Sequence, residues 1–151
     1  MNILLLDDTL KHRKAGKAQL EALGHTVLAL CDYGEARKVA KEQQFDVALI
    51  DLLMPAEPTT LGPEAIKEWV GREIAVGFPM VLELSRLGIK RIAVVTDTNH
   101  HHHPMSAIVD WFHGVALEVN GAKVLINYAP LLEGGVKDWA RILSLLMTDH
   151  Q

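Results

Sequence analysis

The stretch Phe45–Pro55, FDVALIDLLMP, constrains the fold more than any other part of the chain. Val47, Ala48, Leu49 and Ile50 follow one another with no polar residue between them. A strand with one wet face would alternate, so the unbroken run predicts a strand buried on both sides, as in the centre of a parallel sheet. The run stops on Asp51. Ligands of open parallel sheets collect at the carboxyl ends of strands, which makes Asp51 a candidate for chemistry. Met54-Pro55 then turns the chain away.

The same design opens the chain: Asn2–Leu6 is an apolar strand that ends on Asp7-Asp8. Thr9–Leu23 reads as a helix with Gly16, Leu20 and Leu23 inward and Lys11, His12, Arg13, Lys14 and Lys17 outward. Thr9 can cap it and Gly24 stops it. A strand over Thr26–Cys31 and a helix over Tyr33–Gln44 follow, with Cys31 expected to be buried at its strand end. Beyond Pro55 a polar loop leads to Pro63 and then to helical material reaching Leu87. Gly71, Gly77 and Pro79 should divide that material or kink it. Arg91–Val95 is a strand ending on Thr96-Asp97, and Pro104–Phe112 a short helix. Asn120-Gly121 fits a hairpin turn, but the preferred reading is a parallel strand over 122–127 after a short extended piece. Val136–Met147 is the last helix. Strands alternating with helices predict a doubly wound, five-stranded parallel sheet in a flavodoxin-like three-layer sandwich, with residues 1–151 as one domain.

Net charge −4 and pI near 6.0 give no electrostatic footprint for nucleic acid. One cysteine, Cys31, excludes an internal disulfide and suits a reducing compartment. Neither a signal peptide nor a membrane span is apparent, so the expected location is cytoplasmic, away from membranes. Parallel topology gathers Asp7, Asp8, Asp51, Thr96 and Asp97 on one rim. Clustered carboxylates repel unless a cation sits among them, and all-oxygen donors suit Mg²⁺. Asp7, Asp8 and Asp51 are therefore the expected metal ligands, with Asp97 as a further candidate.

These residues resemble a response-regulator receiver domain. Asp7-Asp8 is similar to that family's acidic metal pair, and Asp51 in DLLMP to its phosphoacceptor. Thr96 at the end of AVVT is similar to the hydroxyl residue that bonds the phosphoryl group. The resemblance implies a stand-alone, non-enzymatic signalling domain that accepts a phosphoryl group on Asp51 with Mg²⁺ bound. Its partners would be a sensor histidine kinase or other phosphodonor and a downstream protein. Two departures stand out. The family's lysine before a proline after the fifth strand is replaced by Ala129-Pro130. Lys123 begins that strand, roughly 20 Å away at ~3.3 Å per residue, and Lys137 reaches the rim only if Glu133-Gly134-Gly135 folds it back. The loop after Asp51 is also longer than the family's. Without the lysine, phosphoryl acceptance should be slow and incomplete.

His100, His101, His102 and His103 are consecutive. Neutral imidazoles bind Zn²⁺ or Ni²⁺, although adjacent residues rarely all reach one ion. One or two of them swinging over the acidic rim would complete a metal site or replace the missing positive charge. Two other function classes thus stay open. One is a degenerate receiver acting only through protein interactions, and the other a metal-binding protein using the rim with these histidines. The last helix carries Val136, Trp139, Ala140, Leu143, Leu146 and Met147 on one face, widened by Ile142 and Leu145. With Trp111 and Phe112 it reads either as a partner or homodimer surface or as a broad core face.

Overall fold

Alternate side chains of the central strands feed two separate cores, and this alternation positions the site. A computed structural model describes residues 1–112 and 115–148. The elements are β1 (Asn2–Leu6), α1 (Leu10–Ala22), β2 (Thr26–Leu30), α2 (Tyr33–Glu42), β3 (Val47–Asp51) and β4 (Met54–Pro55). Then come α3 (Pro63–Trp69), β5 (Glu73–Ile74), α4 (Gly77–Arg86), β6 (Arg91–Thr96), α5 (Pro104–Ala107) and α6 (Val109–Phe112). The chain continues through β7 (Ala116–Val119), β8 (Ala122–Tyr128), β9 (Leu131–Leu132), β10 (Val136–Lys137) and α7 (Trp139–Met147).

The main sheet has the order β2-β1-β3-β6-β8-β7. Five of these strands are parallel, as the sequence predicts, and β7 adds an antiparallel edge. That edge corrects the preferred reading of 115–128: the chain makes the hairpin that Asn120-Gly121 allows. Both turn residues have positive φ, 51° and 72°, as a two-residue hairpin loop requires.

Ile3, Leu5, Val47, Leu49, Ala93 and Val95 pack with Leu20 of α1 and Trp139, Ile142, Leu143 and Leu146 of α7. Leu4, Leu6, Ala48, Ile50, Ile92 and Val94 pack on the other side with Ala36 and Ala40 of α2 and Met80, Val81 and Leu84 of α4. These are the layers of a three-layer sandwich. The broad apolar face of α7 is therefore core. Phe112 packs against the second core, while Trp111 is 83% exposed.

Gly16 permits the close approach of α1 and α7: a Cβ there would lie 2.5 Å from Cδ1 of Trp139. The 63–87 material divides into α3 and α4 around β5, which pairs antiparallel with β4. Pro79 sits in the first turn of α4, where its missing N–H costs no helical bond. The inserted segment is tied to α2, since Glu57 accepts from the Gly34 amide at 3.0 Å and Thr60 bonds the Tyr33 hydroxyl at 2.7 Å.

Four further expectations change. Leu23, expected inward, is exposed. Cys31 is exposed. His12 is buried rather than outward, on a stripe with Gly16 and Leu20. The last helix begins at Trp139, because Val136 and Lys137 pair with Leu132 and Leu131 in a small antiparallel hairpin. No described helix is long and apolar enough to cross a membrane.

Candidate functional site: a buried lysine among strand-end carboxylates

The parity that fills the α1/α7 core also aims the carboxylates. Ile3 and Leu5 lead to Asp7, Val47 and Leu49 to Asp51, and Ala93 and Val95 to Asp97, so all three continue the row that faces α1 and α7. The site lies between β1 and β3, where the strand order reverses direction, the usual crevice of such sheets. Asp7 and Asp51 are buried, and Asp8 is half-buried. Asp7 Oδ1 accepts the Thr9 amide at 2.8 Å, and Arg13 donates to the carbonyls of Asp7 and Asp8. Thr9 itself makes no side-chain cap on α1.

The structure overturns the expectation that the rim lacks a lysine. Lys137 Nζ, fully buried, lies 2.7 Å from Asp7 Oδ2, 3.0 Å from Asp51 Oδ1 and 3.3 Å from Asp97 Oδ1. The fold-back passes through Glu133-Gly134-Gly135, where Gly134 and Gly135 take φ of 81° and 69°. An L-residue resists that backbone, and glycine does not. Ala129 still occupies the family's lysine position on the strand end, so the charge comes from later in the chain. Only a tertiary contact reveals this, although the paired glycines are its trace in the sequence.

Electrostatics follow from burial and neighbours. Burial is the main cause that pushes the Asp51 carboxyl up to about 8, with Asp7 and Asp97 adding to it and Lys137 opposing. Burial works against the charged ammonium of Lys137, but Asp51, Asp7 and Asp97 outweigh it and raise its pKa. Asp8 is raised by burial and by Asp7. For Asp97 burial is outweighed by Lys137 and by its own backbone N–H, and its pKa is lowered.

Oxygens of Asp7, Asp8 and Asp51 lie within 4.8 Å of one another, the only such group of three or more ligating side chains among the described residues. An all-carboxylate set with raised pKa values at Asp8 and Asp51 fits a hard divalent cation such as Mg²⁺ or Ca²⁺. Asp97 is committed instead to Lys137 and to His12, whose Nε2 lies 3.1 Å from Asp97 Oδ2. Thr96 is buried at the end of β6, and its Oγ1 accepts the Thr98 amide at 3.1 Å. That contact leaves the Thr96 O–H as a donor.

The histidines sit elsewhere in the contact network. His100 faces Asp110 at 4.0 Å, and His103 Nδ1 caps α5 by accepting from Met105 N. Nε2 of His100 and Nε2 of His101 are 3.0 Å apart, and His102 is exposed. A cleft of about 530 Å³ lined by Tyr33, Arg37, Thr60, Met80 and Glu83 shares no residue with the carboxylate cluster.

No protein-family model and no curated protein sequence matches the chain. Solved structures do. A response regulator from Burkholderia pseudomallei, with a phosphorylated aspartic acid, a calcium ion and citrate, superposes with TM-score 0.57 at 22% identity. The match covers 97% of this chain and spans 66% of that protein's length, just under two thirds. A CheY-like receiver domain from Methanospirillum hungatei gives 0.54 at 19% identity, over 87% of this chain and 82% of its own. The receiver domain of the hybrid histidine kinase CckA gives 0.52 at 20%, over 98% and 100%. The chain has the receiver fold, in a divergent sequence.

Proposed function

We propose that the protein is a signalling receiver in which Asp51 accepts a phosphoryl group and Lys137 supplies the ammonium that receives it. The observation that carries this reading is the 3.0 Å contact between Lys137 Nζ and Asp51 Oδ1 inside a buried carboxylate cluster. An Asp51 oxygen would attack phosphorus as the bond to the donor breaks. The donor, a phosphohistidine of a sensor kinase or a small acyl phosphate, keeps the bonding electron pair, and a departing imidazole takes up a proton. Lys137 lies where negative charge grows on the transferring group, and a positioned donor of this kind is typically worth ~10²–10³ in rate. A divalent cation held by Asp7, Asp8 and Asp51 would neutralise further charge on the same group. The phosphorylated aspartate of the B. pseudomallei neighbour supports the assignment by fold. Thr96 would then donate its O–H to the phosphoryl group, and the added charge would pull on Lys137 and so on the hairpin that carries it.

The test is incubation with a small acyl phosphate and Mg²⁺, read by intact mass. Wild type should gain one phosphoryl group and Asp51→Ala none. An unmodified wild type after prolonged incubation would leave the degenerate receiver, acting through protein contacts alone, as the better reading.

A second reading, transition-metal binding at the histidine loop, is favoured by one observation. Nε2 of His100 and Nε2 of His101 lie 3.0 Å apart, close to the separation of about 3.3 Å that two nitrogens bound to one tetrahedral ion at ~2.0–2.1 Å would have. Asp110 Oδ2 lies 4.0 Å from His100 Nδ1, near the ring but beyond hydrogen-bond distance. Zn²⁺ or Ni²⁺ affinity should fall at least tenfold in the His100→Ala/His101→Ala double variant and stay unchanged in Asp51→Ala. Equal affinity in the double variant would sink the idea; a loss in Asp51→Ala would tie the loop to the acidic rim.

A further inference from the structure

Lys137 is carried by a two-residue strand, too short to fix an ammonium by itself. What fixes it is α1. The Lys137 amide donates to His12 Nδ1 at 3.2 Å, and the Lys137 carbonyl accepts from Gln19 Nε2 at 3.1 Å. Gln19 Oε1 in turn accepts the Ala140 amide at 3.1 Å, and Trp139 Nε1 donates to the His12 carbonyl at 3.2 Å. An amide can only donate, so Nδ1 of His12 must present its lone pair. The ring proton of the neutral imidazole is then on Nε2, which donates to Asp97 Oδ2 at 3.1 Å. The other Asp97 oxygen faces the Lys137 ammonium at 3.3 Å. His12 thus holds Lys137 at both ends, the backbone directly and the ammonium through Asp97, in one closed ring of contacts.

We infer that His12 is a positioning residue that sets where the Lys137 ammonium stands relative to Asp51. Its chemical consequence rests on the phosphoacceptor reading; its geometric role does not. His12 touches no reacting atom. Its imidazole is buried, and both nitrogens are used inside the protein. Displacing an ammonium by about 1 Å in such a site can cost ~10²-fold in rate. Gln19 grips the same segment from one turn-pair further along α1, but it reaches only backbone groups, so its loss should loosen the hairpin without misaiming the charge.

Three substitutions separate the two contacts. His12→Leu removes both. His12→Asn keeps an acceptor near Nδ1 for the Lys137 amide and cannot reach Asp97. His12→Gln reaches Asp97 and gives up the amide contact. The first readout is the reactivity of Lys137 toward an amine-acylating reagent under native conditions, followed by peptide mass. Wild-type Lys137 should be protected, His12→Leu at least tenfold more reactive, and the two polar variants intermediate. The second readout is the rate of modification by a small acyl phosphate with Mg²⁺. His12→Leu should lower it ~10–100-fold, His12→Asn and His12→Gln should rescue part of the loss, and in a Lys137→Met background His12→Leu should add nothing. Unchanged protection of Lys137 in His12→Leu, or losses that multiply with Lys137→Met, would overturn the role. Should His12→Leu not fold, the two polar variants carry both readouts. A wild type that takes no phosphoryl group would sink the phosphoacceptor reading, and the acylation experiment would still decide His12.

Discussion

Asp7, Asp51 and Asp97 stand at or just past the ends of long buried strands, whereas Lys137 stands on a two-residue strand gripped from outside by another helix. The carboxylates owe their places to local pattern: each β-strand runs in fixed alternation, and the sheet registers β1, β3 and β6 side by side. The lysine owes its place to contacts more than a hundred residues away in sequence, with Asp7 and with His12. A rim of aligned carboxylates is self-repelling, and the ammonium inserted into it is what makes the burial tolerable. Construction from local pattern gives positions that are hard to move; construction from a clamped hairpin gives one that can respond.

The sharpest break of this asymmetry is Lys137→Met. Removing one partner of a buried ion cluster typically costs ~3–5 kcal/mol, and urea unfolding should show a loss of that size. Asp51→Asn should cost far less, because burial already disfavours the charged form of Asp51 and the ammonium keeps Asp7 and Asp97 as partners. Comparable losses for the two variants would mean that the ammonium is not the keystone of the rim.

Next in size is the pH dependence. The folded pKa of Asp51, about 8, exceeds its unfolded value of 3.8. A proton held more tightly in the folded state stabilises it fully below the lower value, and that contribution is lost as pH rises toward the upper one. Asp97 runs the other way: its lowered pKa gives a contribution that is fully present above 3.8 and is lost only as pH falls below it. A cation bound at Asp51 must displace the proton, so Mg²⁺ affinity should rise up to about tenfold per pH unit between pH 6 and 8 and level off above. Calorimetric titration at pH 6, 7 and 8 checks this, and a flat profile would remove Asp51 from the ligand set.

Gly135→Ala tests the turn. At φ 69° an alanine meets the left-handed penalty of ~1–2 kcal/mol. The melting temperature should fall by about 2–8 °C, as that loss implies for a domain of this size, and Lys137 should become more open to acylation. Loss of stability with unchanged protection would show that α1, not the turn, does all the holding. The smallest effect is expected in the histidine loop: His100→Ala/His101→Ala should change unfolding stability by no more than about 0.5 kcal/mol. His100 is 43% exposed at its side chain, and neither ring contacts the rim carboxylates through any bond described above.

The parallel sheet, its strand-end aspartates and Thr96 were legible because strand period and burial act within a few residues. Two misreadings came from the same cause, a competition that sequence leaves undecided. Val136 and Lys137 continue the helical pattern of 139–147, but pairing with Leu131 and Leu132 wins them for a strand. His12 sits among basic residues and reads as outward, yet its spacing from Gly16 and Leu20 places it on the buried stripe of α1. The stripe was visible; what makes a histidine acceptable there was not, because its partners are the amide of Lys137 and the carboxylate of Asp97. Sequence by itself determined the layered fold and the acidic rim, since both follow from periodicity and the fixed geometry of parallel strands. Tertiary structure alone decided that a lysine completes the rim, because an ammonium delivered across a glycine turn is specified by where α1 and the hairpin meet, and no local pattern encodes that meeting.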